Sequence, residues 1–198
     1  MSRISMSFLR RTAKKTIAPQ ISQRAVETIH MGRRYLLKKG RGHIIEEPQG
    51  SLCYELLSSL LSSNEPVGKL SGYIVSRQHP NLIREKYGFE GTPITWLATQ
   101  AGENTTDPTS LGMLAHGVLE FLSKTKDGIV LLDGVEYLIS NNDFKKVVRV
   151  IEQINDSVMN YEGYLIITMD PKAFDQKELA IIERYFELIH PKGAPGNS

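Results

Sequence analysis

The sequence predicts an α/β domain: a Rossmann-like three-layer sandwich whose mainly parallel sheet of about five strands is covered by helices on both faces, preceded by a basic helical extension. From about residue 43 onward, apolar runs of strand length alternate with segments of helical period, the order of a βα repeat. The strand runs are continuously apolar, as a parallel sheet buried on both faces requires. The extension stands apart by charge. Residues 1–41 hold 11 Lys or Arg and one acid, whereas the rest of the chain holds 13 basic and 21 acidic residues.

The extension, residues 1–34, divides at Pro19. Its first piece sets Ile4 and Phe8 against a basic face of Arg3, Arg10, Arg11, Lys14 and Lys15. Its second, Gln20 to Met31, places Ile21, Ala25 and Ile29 at helical spacing, and Gly32 ends it. The α/β domain is expected over 35–189. "GHIIEE" is its first strand, followed by a helix carrying Leu52, Leu56 and Leu60. "GYIVS" (72–76) is the second strand, and "HPNLIREKYG" sets Pro80 at the first helical position with Gly88 just past the end. "PITWLA" (93–98) is the third strand, rich in β-formers.

Asp107 is the expected cap of the next helix, with Leu111, Leu114, Val118 and Leu122 on its apolar stripe. "GIVLLDG" is the fourth strand. Phe144, Val147, Val148, Ile151, Ile154 and Val158 then make a long amphipathic helix. "GYLIITM" (163–169) is the fifth strand, and Leu179, Ile182, Phe186 and Ile189 mark the last helix. The turn-rich tail, 190–198, is expected to be flexible.

Ligands in such folds sit at the carboxyl ends of the strands, which selects the loops Glu46–Ser51, Ser76–His79, Thr99–Asp107, Asp133–Asn142 and Met169–Asp175. The fourth strand delivers Asp133, the position from which nucleotide hydrolases present a Mg²⁺-handling acid. The phosphate cradle is missing. No stretch reads G-x-x-x-x-G-K-[ST], the loop whose amides, Lys and hydroxyl hold the phosphates and metal. In its place stands "EEPQGS": Glu46 and Glu47 repel phosphate, Pro48 lacks an N–H, and only Gly50 and Ser51 retain anion-binding character at a helix start. Lys38 and Lys39 precede the strand, at its wrong end.

Asp133–Gly134 therefore reads first as a strand-exit turn, and second as part of a pocket shared with Glu136 that does no phosphate chemistry. Ser76, Arg77 and Asp170 complete the ligand-binding candidates. Arg77 has the chemistry to grip a carboxylate or phosphate, although such a residue more often caps a helix or pairs with a surface acid. Trp96 reads as core or interface, and Asp170–Pro171 as a strand exit opening a helix. No catalytic residue, metal site or cofactor is predicted: the five histidines are scattered, and no nucleophile elbow or triad is present.

The one cysteine, Cys53, excludes an intrachain disulfide and fits a reducing, cytoplasmic setting. No apolar run approaches the roughly 20 residues of a membrane span. Through residues 1–34 the chain has the charge to meet nucleic acid or an anionic membrane at its periphery. The same segment is similar in composition to an organellar transit peptide. The plainest alternative docks it on the acidic domain of its own chain.

"GYIVSRQHPNLIREKYGFEGTPITWLA", "IVLLDGVEYLISNNDF" and "GYLIITMDPKAF" together resemble an archaeal family catalogued as domain of unknown function 835, over about residues 35–188. That family is similar in turn to RecA-type and circadian-clock-type ATPases without their phosphate loop. The resemblance implies a RecA-like fold and a signalling or regulatory role, and it carries over no catalytic residues. The expectation is a non-catalytic regulatory or scaffolding module, self-associating or bound to a protein or small-ligand partner and tethered by its arm. The alternatives are a slow NTPase using Asp133, or nucleic-acid or membrane binding through the arm.

Overall fold

The computed structural model describes residues 28–31, 35–48, 50–62 and 69–189. Most of the basic arm, including Arg3, Arg10, Arg11, Lys14 and Lys15, and the tail from residue 190 lie outside the described residues.

Strand β1 (Thr28–Met31) pairs antiparallel with β2 (Tyr35–Lys38) as a separate two-stranded sheet. This corrects the end of the helix expected over Gln20 to Met31: its last four residues are a strand. The ladder to Tyr35–Lys38 supplies the partner that a helical period cannot reveal.

The main sheet has seven strands, all parallel, in the order β6-β5-β4-β7-β8-β3-β9. They are β3 (Arg41–Glu46), β4 (Ser71–Ser76), β5 (Ile94–Leu97), β6 (Thr105–Thr106), β7 (Gly128–Asp133), β8 (Tyr164–Met169) and β9 (Glu187–Ile189). Five of these were expected; β6 and β9 are short additions at the two edges.

Helices α1 (Ser51–Ser62) and α2 (Pro80–Tyr87) cover one face, and α3 (Leu111–Lys124), α4 (Val135–Asn141), α5 (Phe144–Asn160) and α6 (Gln176–Glu183) cover the other. The pleat of β7 divides its side chains between them. Ile129 and Leu131 join Tyr54, Leu57 and Ile74 on the α1 side, while Val130 and Leu132 join Leu114, Val118 and Ile151 on the α3 and α5 side. Gly128–Leu132 of β7 and all of β8 are buried, which is why both read as apolar runs, interrupted only by Thr168 in β8. Among the described residues no helix is long and apolar enough to cross a membrane.

Three further elements differ from expectation. Helix α3 begins at Leu111, with Ser110 rather than Asp107 at its N-cap. Asp107 instead takes the backbone N–H and hydroxyl of Thr109 on Oδ1, forming a side-chain turn ahead of the helix. The stretch expected to be the loop Asp133–Asn142 contains α4, which buries Val135 and Leu138. The helix expected to run through Ile189 stops at Glu183, and Phe186 and Ile189 leave it. Residues 187–189 pair with His43–Ile45 of β3, so sheet pairing overrides the helical spacing. Phe186 lies where a Cβ on Gly42 would stand, 2.5 Å from its ring. Gly42 thus lets a ring close over β3.

Candidate functional site

Successive strands β4, β5 and β6 run toward one edge of the sheet, and β7 then starts on the opposite side of β4. The winding reverses between β4 and β7, and the crevice beyond the strand ends at such a reversal is where this architecture places ligands. The ladder decides which side chains meet there. Val75 is in register with Leu132, and Asp133 with Thr168, so Ser76, Asp133 and Thr168 emerge side by side. Gly134 makes the exit turn at φ 111°, and a Cβ on it would sit 3.3 Å from that of Arg77. Only glycine fits that turn without strain.

Tyr54, from the buried face of α1, donates its hydroxyl to Asp133 Oδ2 at 2.5 Å. The Ser76 hydroxyl donates to the same oxygen at 2.8 Å, while Tyr54 Oη and Ser76 Oγ stand 2.6 Å apart. Ser76 Oγ also accepts from the Gln78 N–H at 2.9 Å. Three oxygens therefore form three close contacts, but the two hydroxyls supply only two protons. With Asp133 ionised and both hydroxyls donating to it, the Tyr54–Ser76 contact brings lone pairs together; a proton on Oδ2 fills all three contacts once one hydroxyl turns from Asp133 to the other. Burial pushes the Asp133 carboxyl above its ordinary range, and Glu47 nearby adds to the rise against the hydroxyl bonds. Burial and Asp133 likewise push the Tyr54 phenol up.

Glu47 occupies the position where a phosphate loop would deliver its anion. Its Oε2 accepts from the Leu52 N–H and its Oε1 from the Cys53 N–H, both at 2.8 Å. The Thr168 hydroxyl donates to Oε1 at 3.1 Å. These amides belong to the first turn of α1, which carries the positive end of the helix dipole. The chain satisfies its own anion site with a carboxylate. Glu47 was expected to repel phosphate; the structure adds that it also takes the amides phosphate would use.

The rest of the crevice is a cleft of about 400 Å³. Glu136 Oε1 accepts from the Asp170 N–H at 2.6 Å, bridging α4 to the end of β8. Burial raises the Glu136 carboxyl above its ordinary range. Asp170 accepts from the Lys172 N–H at 3.0 Å and opens a single 3-10 turn, Pro171–Ala173. Among the described residues Arg77 neither caps a helix nor pairs with an acid, the roles expected of it. Its guanidinium lies 3.9 Å from the centre of the Tyr137 ring, a cation–π contact. The lining thus holds the carboxyls of Glu47, Asp133, Glu136 and Asp170 against the single cation Arg77. Among the described residues no group of three or more His, Cys, Asp or Glu is placed to hold a metal ion.

All five candidate residues line or abut this cleft, and Ser76 and Asp133 bond directly. Lys38 and Lys39 lie at the opposite end of the sheet, paired with Glu187 at 2.9 Å and Asp127 at 2.7 Å. Trp96 is half-buried, with its Nε1–H donated to the Arg77 carbonyl at 3.0 Å. Sequence reasoning missed Tyr54 and Thr168. Each is a hydroxyl on an otherwise apolar face, Tyr54 among the leucines of α1 and Thr168 within "YLIITM"; that mismatch is the signal that marks them.

A family model described as "Protein of unknown function (DUF835)" matches residues 50–186, in agreement with the resemblance carried by the strand-end motifs. Among solved structures, a KaiC-like protein from the hyperthermophilic archaeon Pyrococcus horikoshii OT3 superposes with a TM-score of 0.53 at 13% identity. The match covers 76% of this chain and 71% of that one. At that identity the likeness is one of fold, RecA-like, and of nothing further. No curated protein matches the sequence.

Proposed function

The chain belongs to the DUF835 family, and on that footing we propose that it is a non-catalytic regulatory or scaffolding module that keeps the RecA-like crevice without its phosphate chemistry. One observation carries the reading: Glu47 accepts the Leu52 and Cys53 amides that a bound phosphate would need. The surroundings support it. A triphosphate entering the cleft meets four carboxyls and one arginine, a field of the wrong sign. Each acid already has a partner: Asp133 two hydroxyls, Glu136 and Asp170 a backbone amide each, Glu47 the first turn of the helix. Recognition of a protein or small-ligand partner then falls to the strand-end loops, with the basic arm as tether.

The test is nucleotide turnover and binding by the full chain. The expected result is no ATP or GTP hydrolysis with Mg²⁺ and no shift in melting temperature at millimolar nucleotide. Turnover abolished by Asp133→Ala overturns the reading in favour of an NTPase centred on that residue.

A further inference from the structure

A second cavity, of about 300 Å³, lies on the other side of the Ser76–His79 loop, between α2 and the short edge strand β6. We propose that it is a binding site for an organic anion with a flat apolar body, of the size of an aromatic carboxylate or aryl phosphate. The proposal gives a ligand class to two of the strand-end loops in the reading above, and its test reads this cavity alone and not the Asp133 cleft.

The apolar wall is built from Trp96 and Ile94 on β5. The indole is oriented by its ring N–H, which donates to the Arg77 carbonyl at 3.0 Å. The His79 ring packs edge-on against it with centroids 4.8 Å apart. A fixed aromatic surface with an apolar neighbour takes a planar group with little ordering cost.

The polar wall comes from α2. His79 Nδ1 accepts the Asn81 N–H at 3.2 Å, so in the neutral ring the proton resides on Nε2, which becomes a donor. Arg84, one turn further along the same helix, lines the cavity. Among the described residues its guanidinium has no hydrogen-bond or ion-pair partner. A guanidinium offers a planar fork of donors that matches a carboxylate or phosphate. With Asn81 beside them, these groups set donors along one side of the cavity and an aromatic face along another.

The far wall is equally ordered. Thr105 Oγ1 accepts from the Gly102 N–H at 2.9 Å and donates to the Gly102 carbonyl at 2.8 Å. The backbone N–H of Trp96 donates to the Asn104 carbonyl at 2.8 Å. Glu103 is the one acid in the lining, and it opposes anions only weakly because it is exposed.

Trp96 is the only tryptophan in the chain, so intrinsic fluorescence reports directly on this cavity. The experiment titrates the full chain with benzoate, with phenyl phosphate, and with cationic benzamidine. We expect a saturable change with at least one of the two anions, with a dissociation constant on the order of millimolar for so small a ligand, and none with benzamidine. Arg84→Gln should weaken it roughly tenfold, Arg84→Lys should recover part of the loss, and Glu103→Gln should leave binding equal or tighter. Circular dichroism and the unliganded emission maximum verify that each variant is folded. Absence of a saturable signal from both anions overturns the proposal, as does equal binding by wild type and a folded Arg84→Gln, or equal binding of benzamidine. The anion that binds more tightly identifies the head group.

Discussion

Replacing Glu47 by alanine is the most direct probe of the self-filled anion site. The substitution removes a carboxylate that accepts two amide N–H groups and one hydroxyl. Hydrogen bonds to a charged acceptor contribute about 1.5–3 kcal/mol each where water is excluded. Loss of a helix-capping side chain costs typically about 1 kcal/mol. Glu47 is partly exposed, so water takes over some of its partners and the net cost is about 2 kcal/mol. For a domain of this size that lowers the melting temperature by roughly 4–8 °C, and it lowers the urea midpoint without altering the slope. The vacated amides should then admit an external anion. With a dissociation constant of about 10 mM, about 100 mM phosphate would restore roughly 1.4 kcal/mol to the variant. Phosphate also stabilises proteins by exclusion from their surface, so the informative quantity is the difference in response between variant and wild type. A variant within about 0.5 kcal/mol of wild type, with the same phosphate response, would refute the assignment of Glu47 to the amides.

Two further outcomes follow from the geometry. Asp133 and Glu136 have carboxyls raised above their ordinary values of 3.8 and 4.5, so the native state holds protons that the unfolded chain releases; their contribution is complete below those values and is lost as pH rises through the raised ones. Asp133→Asn should remove its share of that decline, and urea midpoints that fall just as steeply with pH in the variant would contradict it. Gly42→Ala forces a Cβ to within 2.5 Å of the Phe186 ring and 2.6 Å of Asn155 Oδ1, an overpacking expected to cost about 1–3 kcal/mol. Adding Phe186→Leu should relieve part of it, so the two stability changes should not be additive.

The parts of the fold that could be read from residues alone are those whose burial leaves a local trace. Continuous apolar runs at Gly128–Leu132 and Tyr164–Met169 follow from being covered on both faces, and the stripe of α5 from Val147 to Val158 follows from being covered on one. The misses are elements stabilised by distant partners. Strand β9 forms three residues of ladder against β3, some 140 positions earlier, and Ile189 within it and Phe186 just before it imitate a continued helical period. Helix α4 buries two residues in seven, too few for a period to register. The site divides the same way. Asp133 and Ser76 announce themselves as polar ends of apolar strands. Their contacts with Tyr54 arise from packing α1 against the sheet, across 22 positions of sequence for Ser76 and 79 for Asp133, and no spacing encodes them. Glu47 was visible as a charge in the wrong place, but its role depends on amides, which have no letter in a sequence.

Arg77 belongs to two neighbourhoods at once. Its guanidinium rests on Tyr137 in the wall of the Asp133 cleft, while its carbonyl pins the indole that walls the second cavity. Each hollow is therefore walled by a different group of one residue, its side chain in the first and its carbonyl in the second. Replacing the Arg77 side chain therefore opens one wall and leaves in place the carbonyl that holds the other.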